Sequence, residues 1–268
     1  MEKVIHIPDP KFKTYLIEHF DLDHDGEISL EEALKVKVID CSGLSLSNVS
    51  GIEYFLELEY FNCAMNNLTS IDVNRNPRLR TLKCDHNQLD TLDLSNNHEL
   101  ILLSCHYNQI FMLSLNKNPK LTYLCCRYNH LDTLDVSNNL DLNKLDCDVN
   151  YLSSLDVSNN HNLCFLSCVG NYLELLDLQH NHNMKKLFCY NNYLKEIKFS
   201  NKSTLEELWC SNNRLNCLHL RNGSNLKKFH CSGNRFTNLF FTDNLNPIIY
   251  GMTYTLMDYF DYWNIRKN

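Results

Sequence analysis

The chain has 268 residues, 13 cysteines, 7 glycines, 5 prolines and a formal net charge of −7. That charge is the wrong sign for a phosphate-backbone binder, which needs a concentrated basic surface, so no nucleic-acid partner is expected. No apolar run reaches the roughly 20 residues of a membrane span, and the start "MEKVIHIPDP" lacks the basic-then-apolar layout of a leader. The residues given are therefore expected to be soluble, any leader having been cut away. With so few glycines and prolines and no like-charge run, no linker or tail is expected either.

Taken in chain order, the first pattern is Asp9-Pro10 followed by Phe12, Leu16 and Phe20 on one helical stripe, which predicts a helix start and a buried face. Residues 21–32 then read "DLDHDGEISLEE". Asp21, Asp23 and Asp25 fall at positions 1, 3 and 5 of a twelve-residue loop, Gly26 at the turn, Ser29 at position 9 and Glu32 at position 12. Glu27 would contribute its backbone carbonyl. The stretch resembles the EF-hand family at every ligand position, which implies a Ca2+ site formed by Asp21, Asp23, Asp25, Glu27, Ser29 and Glu32. EF-hands normally work in pairs and only one is present, so a structural calcium that holds a terminal cover folded is the expectation, rather than a sensor. After the loop, Leu30, Ala33 and Leu34 are placed to face the first coil.

From residue 61 the chain repeats. "FNCAMNNL", "LKCDHNQL", "LSCHYNQI" and "LCCRYNHL" start at Phe61, Leu82, Leu103 and Leu124, and five further matches run to "FHCSGNRF" at Phe229, each 21 residues after the last. A second beat such as "LDLSNN" or "LDVSNN" follows at alternating spacings of 10 and 11 residues. Both beats alternate as short strands with one buried face. The pattern predicts a right-handed repeat solenoid with a parallel β-sheet. The nine motifs resemble the leucine-rich repeat family over about residues 39–244, in particular the bacterial, internalin-like variety with a nested rhythm. In that family the first strand lines an open face, and function is usually recognition of another molecule.

One asparagine column, Asn66 to Asn234 in steps of 21, sits where each coil must turn and can satisfy buried backbone groups. A second column starts at Asn76 and fails at Lys202 and Gly223, so the last coils are expected to turn less regularly. Nine cysteines occupy one column: Cys63, Cys84, Cys105, Cys126, Cys147, Cys168, Cys189, Cys210 and Cys231. Thiols stacked at a strand spacing of about 4.8 Å cannot converge on one ion. Nor do parallel side chains incline toward one another as a disulfide needs. The column reads as small apolar core residues. Cys125 lies off it and alternates outward, where its thiol would be free to react; its likeliest base, His106, has no evident orienting partner.

The last stretch, "NPIIYGMTYTLMDYFDYWNIRKN", drops the repeat and is expected to close the array by packing Ile248, Ile249, Leu256, Phe260 and Trp263 on the last coil. The chain thus divides into an EF-hand-like helical N-cap at 1–37, a leucine-rich repeat solenoid at 38–246 and an aromatic C-terminal cap at 247–268.

The side chains alternating outward on the first strands are those free to bind. Arg127, Tyr128, Phe188, Tyr190, Trp209 and His230 form the candidate partner site, because aromatic and arginine enrichment marks interface centres. The same rings could instead stack as a ladder that stabilises the sheet. The expected function is non-enzymatic recognition of a protein or glycan at a bacterial surface or outside the cell, where millimolar calcium suits a lone hand. A purely structural spacer is the alternative. An enzyme would have to use the repeated Asp72, Asp93, Asp135, Asp156 and Asp177, but no histidine, serine or lysine recurs beside them, and a repeated aspartate more often bonds its own turn.

Overall fold

A computed structural model describes residues 4–220, 226–241 and 248–250. The chain forms two compact units, Met1–Leu134 and Asp135–Asn268.

In the first unit, helix α1 (Pro10–Phe20) starts where its sequence dictates: the Asp9 carboxylate accepts from the Lys11 and Phe12 N–H groups, and Pro10 occupies the first turn. Phe12 and Leu16 are fully buried. The other Asp9 oxygen accepts from Ser47 N (3.0 Å) and Asn48 N (3.2 Å), and Tyr15 Oη accepts from Asp40 N (3.1 Å), which ties α1 to the first coil. Helix α2 (Leu30–Ala33) begins with a reciprocal cap between Ser29 and Glu32. Ala33 is buried, whereas Leu34 is 39% exposed, so α2 turns only part of its apolar set inward.

Strands Val38–Asp40, Tyr60–Asn62, Thr81–Lys83, Leu102–Ser104 and Tyr123–Cys125 then pair in parallel. Phe61, Leu82, Leu103 and Leu124 lie in one register and are fully buried. The second unit repeats the plan with Lys144–Asp146, Phe165–Ser167, Lys186–Phe188, Glu207–Trp209, Lys228–His230 and Ile248–Tyr250. The last of these falls in the segment expected to be a C-terminal cap, and it continues the parallel sheet. The side chains of Ile248 and Ile249, and all of Leu256, Phe260 and Trp263, lie outside the described residues. The second beat is strand only in places, as at Leu175–Leu178 with Glu196–Phe199.

The first asparagine column explains why the coils stack in one register. At Asn87, Nδ2 donates to Cys63 O (3.0 Å) and Cys84 O (3.1 Å), while Oδ1 accepts from Leu68 N (2.9 Å). The same three bonds recur at Asn66, Asn108, Asn129, Asn171, Asn192, Asn213 and Asn234. Each carboxamide therefore satisfies backbone groups of its own coil and of the preceding one. In the second column Asn97 Nδ2 donates to Val73 O and Asn76 O, and Asn181 Nδ2 donates to Val157 O and Asn160 O.

The residue before each first-column asparagine has a positive φ: Met65, His86, Tyr107, Tyr128, Val149, Gly170, Asn191, Asn212 and Gly233. Glycine and asparagine enter this left-handed conformation readily, but Val149 is β-branched and sits there at φ 50°. The turn tightened by the asparagine outweighs the local preference. Its consequence for the surface is that His86, Tyr107 and Tyr128 are swung out of the strand alternation.

All column cysteines are buried, and none of the described thiols forms a disulfide. Cys125 is not the exposed thiol that its alternation suggested; it is only 4% exposed. Small side chains on the outward row sink below longer neighbours, and Ser104 and Ser167, at equivalent positions, are likewise buried. The accessible thiols are the half-exposed Cys164 and Cys217.

Candidate recognition surface

On the outward side of the second unit, Phe188, Tyr190, Trp209 and His230 come together. Phe188 and Trp209 are in register on adjacent strands, as are Trp209 and His230. The Trp209 ring centroid lies 5.4 Å from Phe188, 6.2 Å from Tyr190 and 4.2 Å from His230. Phe165 meets Phe188 edge-on at 5.5 Å. Trp209 is held from below, its Nε1 donating to Glu207 Oε1 at 2.9 Å. Burial pushes the Glu207 carboxyl up, but the Trp209 bond with Lys228 and Lys186 outweighs it and holds the group below its ordinary value. The rings are thus both half-exposed and mutually packed.

Arg127 and Tyr128 belong to the first unit. Tyr128 stacks on Tyr107 with centroids 4.3 Å apart and planes 8° apart, and the Arg127 guanidinium lies 5.8 Å from the Tyr107 centroid. Of the six candidate residues, Arg127 and Tyr128 thus lie in the first unit and the other four in the second.

A further aromatic file lies outside the six predicted residues. Tyr172 stacks on Tyr151 at 6.1 Å and on Tyr193 at 5.9 Å, and Arg214 lies 4.3 Å from the Tyr193 centroid. The three tyrosines are 48%, 46% and 42% exposed. Their signal was legible, since each directly follows a first-column asparagine as "NYL".

At the N-terminus, the Asp21, Asp23 and Asp25 carboxylates offer oxygens within 4.8 Å of one another, and Glu32 is not in that group. Both Glu32 oxygens are engaged in the cap, Oε1 by Leu22 N (2.6 Å) and Oε2 by Ser29 N (2.8 Å) and Ser29 Oγ (2.9 Å). The Glu27 side chain turns to Lys13 at 2.6 Å. Burial raises the Asp21 carboxyl, but the Gly26 and His24 N–H groups outweigh it and keep it ionised below its usual range. The loop is backed by a short N-terminal segment, with Ile5 N donating to Ile28 O at 2.9 Å and Val4 bridging Ser29.

The repeated aspartates are spent on turns. Asp72, Asp93, Asp135, Asp156 and Asp177 each accept, through Oδ1, from the N–H two residues on, at 2.8–3.0 Å. The Ser95 backbone N–H and hydroxyl hold Asp93 below the usual carboxylate range.

The parallel strands, buried leucines and asparagine-bonded turns define a leucine-rich-repeat-type β-solenoid. Among solved structures, the chain is similar to the functional domain of InlJ from Listeria monocytogenes, which is described as including a cysteine ladder: 30% identity and a TM-score of 0.82, over 89% of this chain and 57% of that one. It is also similar to an internalin (inlF) from L. monocytogenes (17% identity, TM-score 0.65, 91% of this chain and 92% of that one). A Leptospira interrogans leucine-rich-repeat protein shares the fold too (19%, 0.62, 80% and 68%). The chain spans little more than half the InlJ domain's length. No protein-family model and no curated protein matches. Among the described residues, no helix is long and apolar enough to cross a membrane.

Proposed function

We propose that the chain is a non-enzymatic recognition module at a bacterial surface or outside the cell, which binds a protein partner through the Phe188–Tyr190–Trp209–His230 cluster. The observation that carries this reading is the Trp209 platform: one indole, fixed by Glu207 and flanked by three rings, on the outward side of the sheet. A rigid aromatic anchor of this kind loses little conformational entropy on binding and is typical of an interface centre. Candidate surface proteins and a glycan array supply the ligands. Trp209→Ala is expected to cost about 2 kcal/mol or more of binding, and also some stability, because the ring is packed. Tyr190→Ala separates the two effects, since among the described rings Tyr190 touches only Trp209. It should weaken binding with little change in melting. A spacer would bind nothing in either panel, and unchanged affinity in both variants would remove the cluster from consideration.

The N-terminal loop is proposed to hold Ca2+ as a structural ion. Asp21, Asp23 and Asp25 cluster within 4.8 Å and repel one another until a cation neutralises them. Hard carboxylate and carbonyl oxygens suit calcium, with Glu27 contributing its carbonyl, and Ser29 and Glu32 closing the far side from the α2 cap. Calcium at about a hundred times its Kd should stabilise the fold by about 2.7 kcal/mol. Melting in calcium and in chelator measures this. Asp23→Asn should abolish the difference while leaving the chelated melt unchanged, and identical melts for the parent protein would refute the site.

A further inference from the structure

We propose that Asp85, His86 and His106, on the outward face of the first unit, form a binding site for a divalent transition-metal ion such as Zn2+. Their ligand atoms lie within 4.8 Å of one another. Asp85 Oδ2 stands 3.1 Å from His86 Nδ1 and 3.7 Å from His106 Nε2. Two ligands of one tetrahedral Zn2+, with bonds near 2.0–2.1 Å, are about 3.4 Å apart. The two separations bracket that value.

Hydrogen bonding fixes which histidine nitrogen faces the carboxylate. Ser104 Oγ is 2.9 Å from Asp85 Oδ1 and 3.0 Å from His106 Nδ1. An ionised carboxylate only accepts, so the single hydroxyl hydrogen goes to Asp85, and Ser104 accepts from His106 Nδ1–H. His106 Nε2 then carries a lone pair toward Asp85 Oδ2 at 3.7 Å, and a cation between them would take the place of the hydrogen bond that this oxygen makes with His86 Nδ1 at 3.1 Å. The Ser104 contact is also the second-shell bond that orients a metal-ligating imidazole. His86 completes the set with its ring stacked on Tyr107 at 4.5 Å.

The array contains its own comparison. Three repeats later, in the second unit, Asp148 Oδ1 accepts from Ser167 Oγ at 2.6 Å, the same aspartate–serine pair. The positions of His86 and His106 are there taken by Val149 and Val169. The aspartate–serine pair is thus a feature of the coil, and the two imidazoles are an addition at Asp85 that the coil does not require. Two imidazoles with one carboxylate select Zn2+, Cu2+ or Ni2+ over calcium. His86 is exposed, so a fourth position faces solvent, open to water or to a carboxylate of an incoming molecule.

The full chain, in a non-chelating reductant with saturating calcium, is titrated with Zn2+ by calorimetry and with Co2+ by visible absorption. One equivalent is expected to bind, with Co2+ d–d bands and no sulfur-to-cobalt charge transfer. His86→Ala, at an exposed position that leaves the fold intact, should abolish that equivalent. Ser104→Ala should weaken it by about tenfold or more while keeping the same spectrum. Zn2+ binding unchanged in His86→Ala, a thiolate spectrum, or no binding at all would each overturn the site.

Discussion

Above about pH 9, where free thiols ionise, the protein is expected to lose stability far more steeply than an ordinary domain. Burial pushes the thiols of Cys63, Cys84, Cys105, Cys168, Cys189 and Cys210 well up, and those of Cys41 and Cys231 up to about 12. Below the unfolded thiol's pKa both states are protonated and pH has no leverage. Above it the unfolded chain releases these protons while the native chain keeps them. The native state then binds more protons, so stability falls as pH rises, and continues to fall until the folded pKa values are reached. Each thiol contributes about 1.4 kcal/mol per pH unit. Eight together, about 11 kcal/mol per unit, rival the whole stability of a typical domain. Circular dichroism across an alkaline titration, with urea denaturation at each pH, measures the slope. Cys84→Ala should lower it by about one proton. A parent slope of one proton or fewer would show that the column is not buried in solution.

Asn108→Ala is expected to be strongly destabilising, at about 4 kcal/mol, because it strands several backbone groups at once. Nδ2 donates to Cys84 O and Cys105 O at 3.0 Å each, and Oδ1 accepts from Leu89 N at 2.9 Å. The residue is 8% exposed, so water cannot freely replace the lost partners. Asn108→Asp keeps the acceptor for Leu89 N–H and loses both donors, so it should fall between alanine and the parent only at a pH that protonates the new carboxyl. Asn116→Ala, on the exposed surface of the same coil, should change stability by less than about 0.5 kcal/mol. Hydrogen exchange at Leu89 reads the local effect. Protection unchanged at that amide in Asn108→Ala would contradict the role assigned to the column.

Much of the candidate surface was visible in the repeat. Phe188, Trp209 and His230 were aligned by counting in steps of 21, and the sheet places them side by side because parallel strands in register preserve that count. The reading of Cys125 failed because alternation gives direction and not depth: a short side chain pointing outward is covered when its neighbours are long. His106 had no visible orienting partner because Ser104 and Asp85 reach it from two different coils, with Asp85 nineteen residues before Ser104. The Tyr151–Tyr172–Tyr193 file was missed for a related reason. Those residues follow the turn, where strand alternation no longer says which way a side chain points.

By itself the sequence determined the coil. A leucine, a cysteine and an asparagine at fixed offsets specify a buried strand and a tight turn, and nine repetitions leave no other way to bury them than stacking. It also determined the start of α1, through Asp9-Pro10, and the spacing of the N-terminal carboxylates. Only the tertiary structure decided what each coil presents. The left-handed residue before every asparagine redirects His86, Tyr107 and Tyr128. Glu32 is engaged by Leu22 N and Ser29, outside the aspartate cluster. Trp209 is fixed by a glutamate two residues away and by rings on neighbouring coils. The physical reason is common to all three. A periodic backbone is set by local composition, but the surface is set by contacts across coils about 21 residues apart, and their geometry exists only once the coils have stacked.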